Sequence, residues 1–173
     1  MLYGYLELFI GPVNSSKTFH LVNKFNEYIA LKISVVLINY GGETELTTET
    51  IINTERLMDI NYLNNKENEI FVKEKSKIRR SNVILIDDGH KYPDLVEFVS
   101  SLLKDNKHVY ICGLDGDSER NKIGNILDLI PLCDNVNKLK SFCNKCKNGT
   151  PGIFTKSTKS GFISVCRQCY WME

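Results

Sequence analysis

Largely apolar runs alternate with segments of helical periodicity over the first two thirds of the chain. Four runs predict buried β-strands, at Leu6–Ile10, Ile33–Tyr40, Asn82–Ile86 and His108–Leu114. Two segments carry apolar residues at the three- and four-residue spacing of a helix, namely Leu21, Val22, Phe25, Tyr28 and Ile29, and Leu95, Val96, Phe98, Val99, Leu102 and Leu103. Alternating strands and helices predict an α/β fold, with a mostly parallel sheet of the phosphate-loop type flanked by helices.

The remaining segments divide the chain further. Residues 43–80 are rich in Thr, Asn, Lys and Glu, and their weak periodicity supports no assignment. After Lys138 the composition changes to Cys, Lys, Gly, Ser and Thr. We therefore expect a nucleotide-binding α/β domain at residues 1–138 and a small separate lobe at residues 139–173.

Charge and hydropathy exclude two classes of protein. The 22 Lys and Arg residues nearly balance 21 Asp and Glu residues, giving a net charge of +1. A dedicated phosphate-backbone binder is far more basic, so we expect no direct nucleic-acid binding. No stretch reaches the roughly 18 apolar residues of a membrane span, and the N-terminus lacks the pattern of a secretory signal. These features predict a cytoplasmic protein without a membrane partner.

A phosphate-binding motif follows the first predicted strand. The stretch Gly11, Pro12, Val13, Asn14, Ser15, Ser16, Lys17, Thr18 matches the spacing G-x-x-x-x-G-K-[ST], except that Ser16 replaces the second Gly. Backbone N–H groups at such a strand-to-helix turn form an anion site, Lys17 reaches the phosphates, and the Thr18 hydroxyl can bind Mg²⁺. The alternative is an ordinary strand-to-helix turn, although a lysine in a first helical turn is unfavourable without an anion nearby.

Two adjacent carboxylates end the third predicted strand. Asp87 and Asp88 follow Ile86 at the edge of a parallel sheet where ligands bind. One of the pair can hold Mg²⁺ with Thr18, and the other can act as a general base. The alternative is a simple Asp-Gly turn, and His90 beside it is expected to be solvated.

Four of the six cysteines form two C-x-x-C pairs near the end of the chain. Cys143 and Cys146 are separated by nineteen residues from Cys166 and Cys169. Two such knuckles present four thiolates to a tetrahedral Zn²⁺, and a closed Cys₄ site is structural. Two disulfides or free thiols are the alternatives, which a reducing compartment disfavours. Cys112 and Cys133 are interpreted as packing residues.

In their order, these motifs resemble those of the zinc-containing thymidine kinases over nearly the whole chain. The resemblance rests on Leu8–Thr18, on Ile86–His90 followed by Pro93–Phe98, on Gly113–Gly116 with Arg120, on Gly124–Leu132, and on Ser164–Tyr170.

The resemblance implies ATP-dependent phosphorylation of the thymidine 5′-hydroxyl, which supplies thymidine monophosphate for DNA synthesis. It implies that Lys17 binds the phosphates, that Thr18 and Asp87 serve Mg²⁺, and that Asp88 takes the place of a catalytic Glu. The base would lie under a lasso loop between Lys147 and Val165. Leu114, Ser118 and Phe162 would be the substrate-binding residues. A homotetramer or homodimer is also implied.

Departures from the family pattern keep a second hypothesis open. They fall on Ser16, Glu45, Asp88, Lys91 and Ser118, whereas the four zinc cysteines are intact. The second hypothesis is a catalytically impaired relative that binds nucleotides or a protein partner.

Overall fold

The computed structural model describes residues 3–40, 51–54, 57 and 69–172, with residues 69–74 as backbone only. Its centre is a six-stranded sheet in the order β3-β2-β4-β5-β1-β6. All neighbouring strands in this sheet are parallel. The strands are β1 Tyr5–Gly11, β2 Val35–Asn39, β3 Ile51–Asn53, β4 Val83–Ile86, β5 His108–Leu114 and β6 Asn135–Lys138.

Helices cover both faces of the sheet. They are α1 Lys17–Ala30, α2 Glu69–Arg80 and α3 Leu95–Lys104, with short 3₁₀ helices at Gly89–Lys91 and Ile126–Leu132. Side chains of a strand alternate between faces, so Leu8 packs in the core under α3 and Phe9 in the core under α1. The predicted fold class is therefore confirmed.

The end of the chain forms a small cysteine-rich lobe. It contains β7 Ser141–Phe142, β8 Pro151–Gly152, β9 Phe154–Thr158, β10 Gly161–Val165 and the helix α4 Arg167–Trp171. β9 and β10 form an antiparallel hairpin, and β7 pairs with β8. Cys143, Val165 and Cys166 are the buried centre of this lobe.

The structure corrects several details of the sequence analysis. The segment 43–80 contains β3 and α2, which the weak periodicity did not predict. Helix α1 begins at Lys17, four residues before Leu21, the first residue of the predicted apolar face, and β2 is shorter than predicted at both ends. Ile29, the last residue of the predicted apolar face of α1, is 49% exposed. Glu45 lies outside the described residues. Within the described part of the chain, no helix has the length and apolar character that a membrane crossing requires.

Candidate active site and cysteine cluster

The loop between β1 and α1 is shaped by close packing at its start. A Cβ atom on Gly11 would lie 2.7 Å from the Leu139 carbonyl oxygen and 2.9 Å from Ser15 Oγ. Both distances are shorter than a carbon atom tolerates, so the end of β1 requires glycine. Ser15 is buried and donates to the Pro12 carbonyl at 2.8 Å, which closes the loop on itself.

Two non-glycine residues of the loop have left-handed backbone. Asn14 has φ 57° and Ser16 has φ 58°. Ser16 occupies the position where the motif has its second Gly, and its side chain makes no capping hydrogen bond to α1. The loop thus keeps a glycine-like conformation without the glycine, at a cost of about 1 kcal/mol for a residue with a Cβ.

Lys17 lies under the loop. Its Nζ donates to the Pro12 carbonyl at 2.6 Å and to Ser15 Oγ at 3.3 Å. Burial lowers the pKa of Lys17, while Cys112, Asp88 and Asp87 act in the opposite direction. A partly desolvated ammonium group at the start of a helix is well suited to an anion.

Asp87 is a buried carboxylate that meets the loop. Its Oδ1 accepts from Thr18 Oγ1 at 3.3 Å, from the Asp88 amide at 2.9 Å and from Cys112 Sγ at 2.7 Å. Burial raises the pKa of the Cys112 thiol, and the neighbouring Asp87 carboxylate raises it further. The thiol therefore stays protonated and acts as the donor. Cys112 is fully buried in the core under α1, as expected for a packing residue, and its thiol also donates to Asp87.

Asp88 is left-handed and exposes its carboxylate. With φ 51° it starts the 3₁₀ turn after β4, and its Oδ2 pairs with Lys91 Nζ at 2.7 Å. The Lys91 ammonium also lies 5.1 Å from the centre of the Tyr40 ring. The exposed carboxylate of Asp88 and the buried one of Asp87 therefore have different surroundings, and Asp88 lines the cavity beside the loop.

That cavity has a volume of about 450 Å³ and brings most of the predicted residues together. Its lining residues are Val13, Asn14, Ser16, Lys17, Thr18, Phe19, Asp88, His90, Lys91 and Leu114. Of the predicted substrate-binding residues, Leu114 lines it, whereas Ser118 and Phe162 do not. Phe162 is 60% exposed at the hairpin.

His90 and Lys91 are site residues that the sequence reasoning did not place there. His90 is 7% exposed, not solvated, and its Nδ1 accepts from the Leu114 amide at 3.2 Å. Burial lowers the pKa of His90, which keeps Nδ1 free to accept. The lysine was visible only as a departure from the family pattern, with no sign of its contact with Asp88.

The four clustered cysteines converge in space. Their Sγ atoms all lie within 4.8 Å of one another. Cys146 Sγ is 3.7 Å from Cys166 Sγ and 3.4 Å from Cys169 Sγ, far beyond a disulfide bond of about 2.05 Å. Four sulfurs about 2.3 Å from a tetrahedral zinc would be separated by about 3.8 Å. The donor set and spacing therefore fit a zinc ion.

Backbone amides favour the thiolate form of Cys143, whereas hydrogen bonding among the sulfurs leaves the pKa of Cys146 and that of Cys169 raised. Burial acts to raise the pKa of Cys143, but hydrogen bonds from backbone amides outweigh it and lower the pKa to about 6. The Cys169 amide donates to Cys166 Sγ at 3.4 Å. Amide hydrogen bonds to sulfur favour the thiolate, which is the form in which cysteine binds a metal.

Comparison with known proteins agrees with this geometry. The family model described as thymidine kinase matches residues 4–170. The chain belongs to the thymidine kinase family. It is 34% identical to the thymidine kinase of Variola virus and 32% identical to that of Vaccinia virus (strain Western Reserve), in each case over 96% of this chain and 97% of the relative. The thymidine kinase of Sheeppox virus (strain KS-1) is 28% identical over the full length of both chains.

Among solved structures, a chain described as a DNA replication initiation factor aligns with a TM-score of 0.49. It shares 13% sequence identity, over 80% of this chain and 40% of that one.

In this member of the thymidine kinase family, the segment after β5 contacts the cysteine lobe through a hydrogen bond and cation–π interactions. The Tyr170 hydroxyl donates to the Ser118 carbonyl at 2.7 Å. The Arg120 guanidinium lies 4.6 Å from the centre of the Tyr170 ring and 4.2 Å from that of Trp171. Ser118 therefore joins the two parts of the chain through its backbone.

Proposed function

We propose that this protein transfers the γ-phosphoryl group of ATP to the 5′-hydroxyl of thymidine, giving thymidine monophosphate for DNA synthesis. The observation that carries the proposal is the single cavity shared by the phosphate loop, Lys17 and Asp88, in a chain of the thymidine kinase family. The names of the viral relatives support thymidine as the acceptor.

The phosphates of ATP would bind at the loop. Free N–H groups at the start of α1 and the Lys17 ammonium supply positive charge on one side of the cavity. Lys17 Nζ now contacts the Pro12 carbonyl and Ser15 Oγ. Phosphate oxygens are stronger acceptors than either group, so they would draw the ammonium into the cavity.

Thr18 and Asp87 would hold Mg²⁺, because their oxygens already lie 3.3 Å apart at one side of the loop. Carboxylate and hydroxyl oxygens are ligands that Mg²⁺ accepts together with phosphate. When bound, Mg²⁺ would neutralise charge on the phosphates. Asp87 is held for this role by the hydrogen bonds from the Asp88 amide and the Cys112 thiol.

Asp88 would act as the general base. It takes the proton of the 5′-hydroxyl as that oxygen forms a bond to the γ-phosphorus. The bond between the γ-phosphorus and its bridging oxygen breaks, and ADP leaves with the electron pair. The Lys91 ammonium pairs with Oδ2 of Asp88, so the other carboxylate oxygen, Oδ1, would take the proton.

Thymidine would lie between Leu114 and the segment 147–165, with Ser118 and Phe162 as further contacts. The exposed Phe162 ring on the β9–β10 hairpin is available to cover a base. In this proposal residues 1–138 bind the nucleotide, and residues 139–173 form the lobe that carries zinc and the lasso.

Zinc at the four cysteines would be structural, because a fourth sulfur leaves no position for water or substrate. We also propose a cytoplasmic location, since none of the six cysteines forms a disulfide, as a reducing compartment favours. A homodimer or homotetramer without a nucleic-acid partner completes the proposal.

A coupled assay tests this function. Purified protein with ATP and Mg²⁺ is given thymidine and, separately, each other deoxynucleoside. We expect turnover with thymidine that is lost in Lys17→Ala and Asp88→Asn. Lys24→Ala is the matched control, because Lys24 lies on the same helix but does not line the cavity, and its ammonium contacts Glu27 and the Tyr110 ring. Absence of turnover with every nucleoside would refute the proposal.

The ion pair between Lys91 and Asp88 favours a second candidate, a nucleotide-binding protein without catalysis. A carboxylate held by an ammonium is a poorer base. Binding of ATP without turnover, together with turnover gained in Lys91→Ala, would support this candidate. Turnover in the parent protein that is lost in Asp88→Asn would exclude it.

A further inference from the structure

A pair of hydroxyl side chains from the cysteine lobe holds both backbone groups of Val13 in the phosphate loop. The Val13 amide donates to Thr155 Oγ1 at 3.2 Å, and Ser164 Oγ donates to the Val13 carbonyl. Ser164 is 0% exposed and Thr155 is 5% exposed. A buried polar group that loses its partner is destabilising, so these contacts constrain the loop.

The two hydroxyls form one unit. Thr155 on β9 and Ser164 on β10 are directly paired across the antiparallel hairpin. Side chains of such a pair lie on the same face about 5 Å apart. This separation lets the two hydroxyls contact the amide and the carbonyl of a single residue, Val13. Thr155 accepts a hydrogen bond from the Val13 amide, and Ser164 donates one to the Val13 carbonyl.

The same hairpin is fixed to the cysteine cluster. The Asn144 amide donates to the Ser164 carbonyl at 2.9 Å, and the Ser164 amide donates to Asn144 Oδ1 at 3.1 Å. Asn144 lies within the first C-x-x-C knuckle, and Ser164 lies two residues before the second. A continuous hydrogen-bonded path therefore joins the cysteine cluster to the phosphate loop.

The loop has a particular need for such support. Asn14 and Ser16, on either side of Ser15, are left-handed although neither is glycine. Strained backbone of this kind persists only where the surrounding structure determines it strongly. Val13 immediately precedes the segment from Asn14 to Ser16, whose first and last residues are left-handed. Because both of its backbone groups are held, the direction of the chain at the start of this strained segment is also held.

We propose that Thr155 and Ser164 are positioning residues that clasp Val13 and hold the phosphate loop in its anion-binding conformation. The clasp compensates for the missing second glycine of the motif. As a contribution to ATP binding it rests on the proposed function, whereas its effect on the loop does not.

The first test measures the loop without any nucleotide. Hydrogen exchange of the peptide covering residues 12–16 is followed in the parent, Ser164→Ala and Thr155→Val. We expect exchange at least about tenfold faster in both variants. Thr155→Val keeps the side-chain volume, so it remains informative if Ser164→Ala disturbs folding. Ser141→Ala is the control, because Ser141 lies in the same lobe and its hydroxyl donates to the carbonyl of its neighbour Phe142, away from Val13. Unchanged exchange in both variants would overturn the proposal.

The second test measures ATP affinity in a double-mutant cycle with Ser16→Gly. In the parent background we expect Ser164→Ala to weaken ATP binding about tenfold, with metal content unchanged and Thr155→Ser retaining parental affinity. In the Ser16→Gly background the loss should shrink to about threefold or less, because glycine needs no external support. Equal losses in the two backgrounds would refute compensation for the missing glycine. If the parent binds no ATP, the proposed function fails and the exchange experiment still decides the clasp.

Discussion

The left-handed conformation of Ser16 makes a quantitative prediction about stability. Ser16 has φ 58° and ψ 28°, is exposed, and makes no side-chain cap to α1, so its replacement removes no hydrogen bond. A Cβ in this conformation costs about 1 kcal/mol relative to glycine. Glycine in turn makes the unfolded chain more flexible, which costs roughly 0.5 kcal/mol. Ser16→Gly should therefore raise the free energy of unfolding by about 0.5 kcal/mol, or Tm by about 2 °C in a chain of this size.

Urea unfolding at neutral pH measures this change, and an unchanged m-value shows that the denatured state is comparable. Ser16→Ala is the decisive comparison, because alanine keeps the Cβ and should match the parent closely. Asn14→Gly should gain less, since asparagine tolerates the left-handed region better than serine does. If Ser16→Gly were no more stable than Ser16→Ala, the strain assigned to Ser16 would be absent.

Three further predictions concern the cysteine cluster, His90 and Cys112. Elemental analysis should find one zinc per chain, lost in Cys166→Ser with a large fall in Tm but retained in the Cys133→Ser control. The free energy of unfolding should fall as pH drops below 6.5, because burial lowers the pKa of His90 and the unfolded chain then binds more protons. Urea unfolding at pH 7.5 and 5.5 should show a smaller fall in His90→Gln. Cys112→Val should reduce Mg²⁺-dependent turnover several-fold by removing a donor to Asp87, and Cys112→Ser should restore it; equal rates in the two variants would contradict this role.

The parts of the fold that the sequence predicts correctly are those that local hydrophobicity determines. Strands of a parallel sheet are buried on both faces, so β1, β4 and β5 appear as apolar runs at nearly their final bounds. Helix α2 was not predicted because its sequence is dominated by Lys, Glu and Arg; Ile78 is its buried anchor among the side chains described. Strand β3 is only three residues long, which is too short to show a period.

The residues of the candidate site also fall into those that local sequence predicts and those that only the fold brings together. Lys17, Thr18, Asp87 and the four cysteines were predicted because short motifs place their chemistry within a few residues. The contacts of Val13 with Thr155 and Ser164 span 142 and 151 residues, and no local pattern encodes them. Only the folded chain shows that the cysteine lobe reaches the phosphate loop.

His90 illustrates how distant glycines decide the environment of a site residue. Its position after an Asp-Gly turn indicated a solvated side chain, yet it is buried against β5 and the segment that follows. A Cβ on Gly113 would lie 3.1 Å from His90 Nδ1, and one on Gly124 would collide with the His90 carbonyl. The absence of side chains at these two positions creates the space that His90 fills, and the Leu114 amide then fixes its ring. Gly124 has φ 57°, so Gly124→Ala adds backbone strain to the collision, and we expect it to displace His90 and to lower turnover more than an alanine at the exposed Gly149.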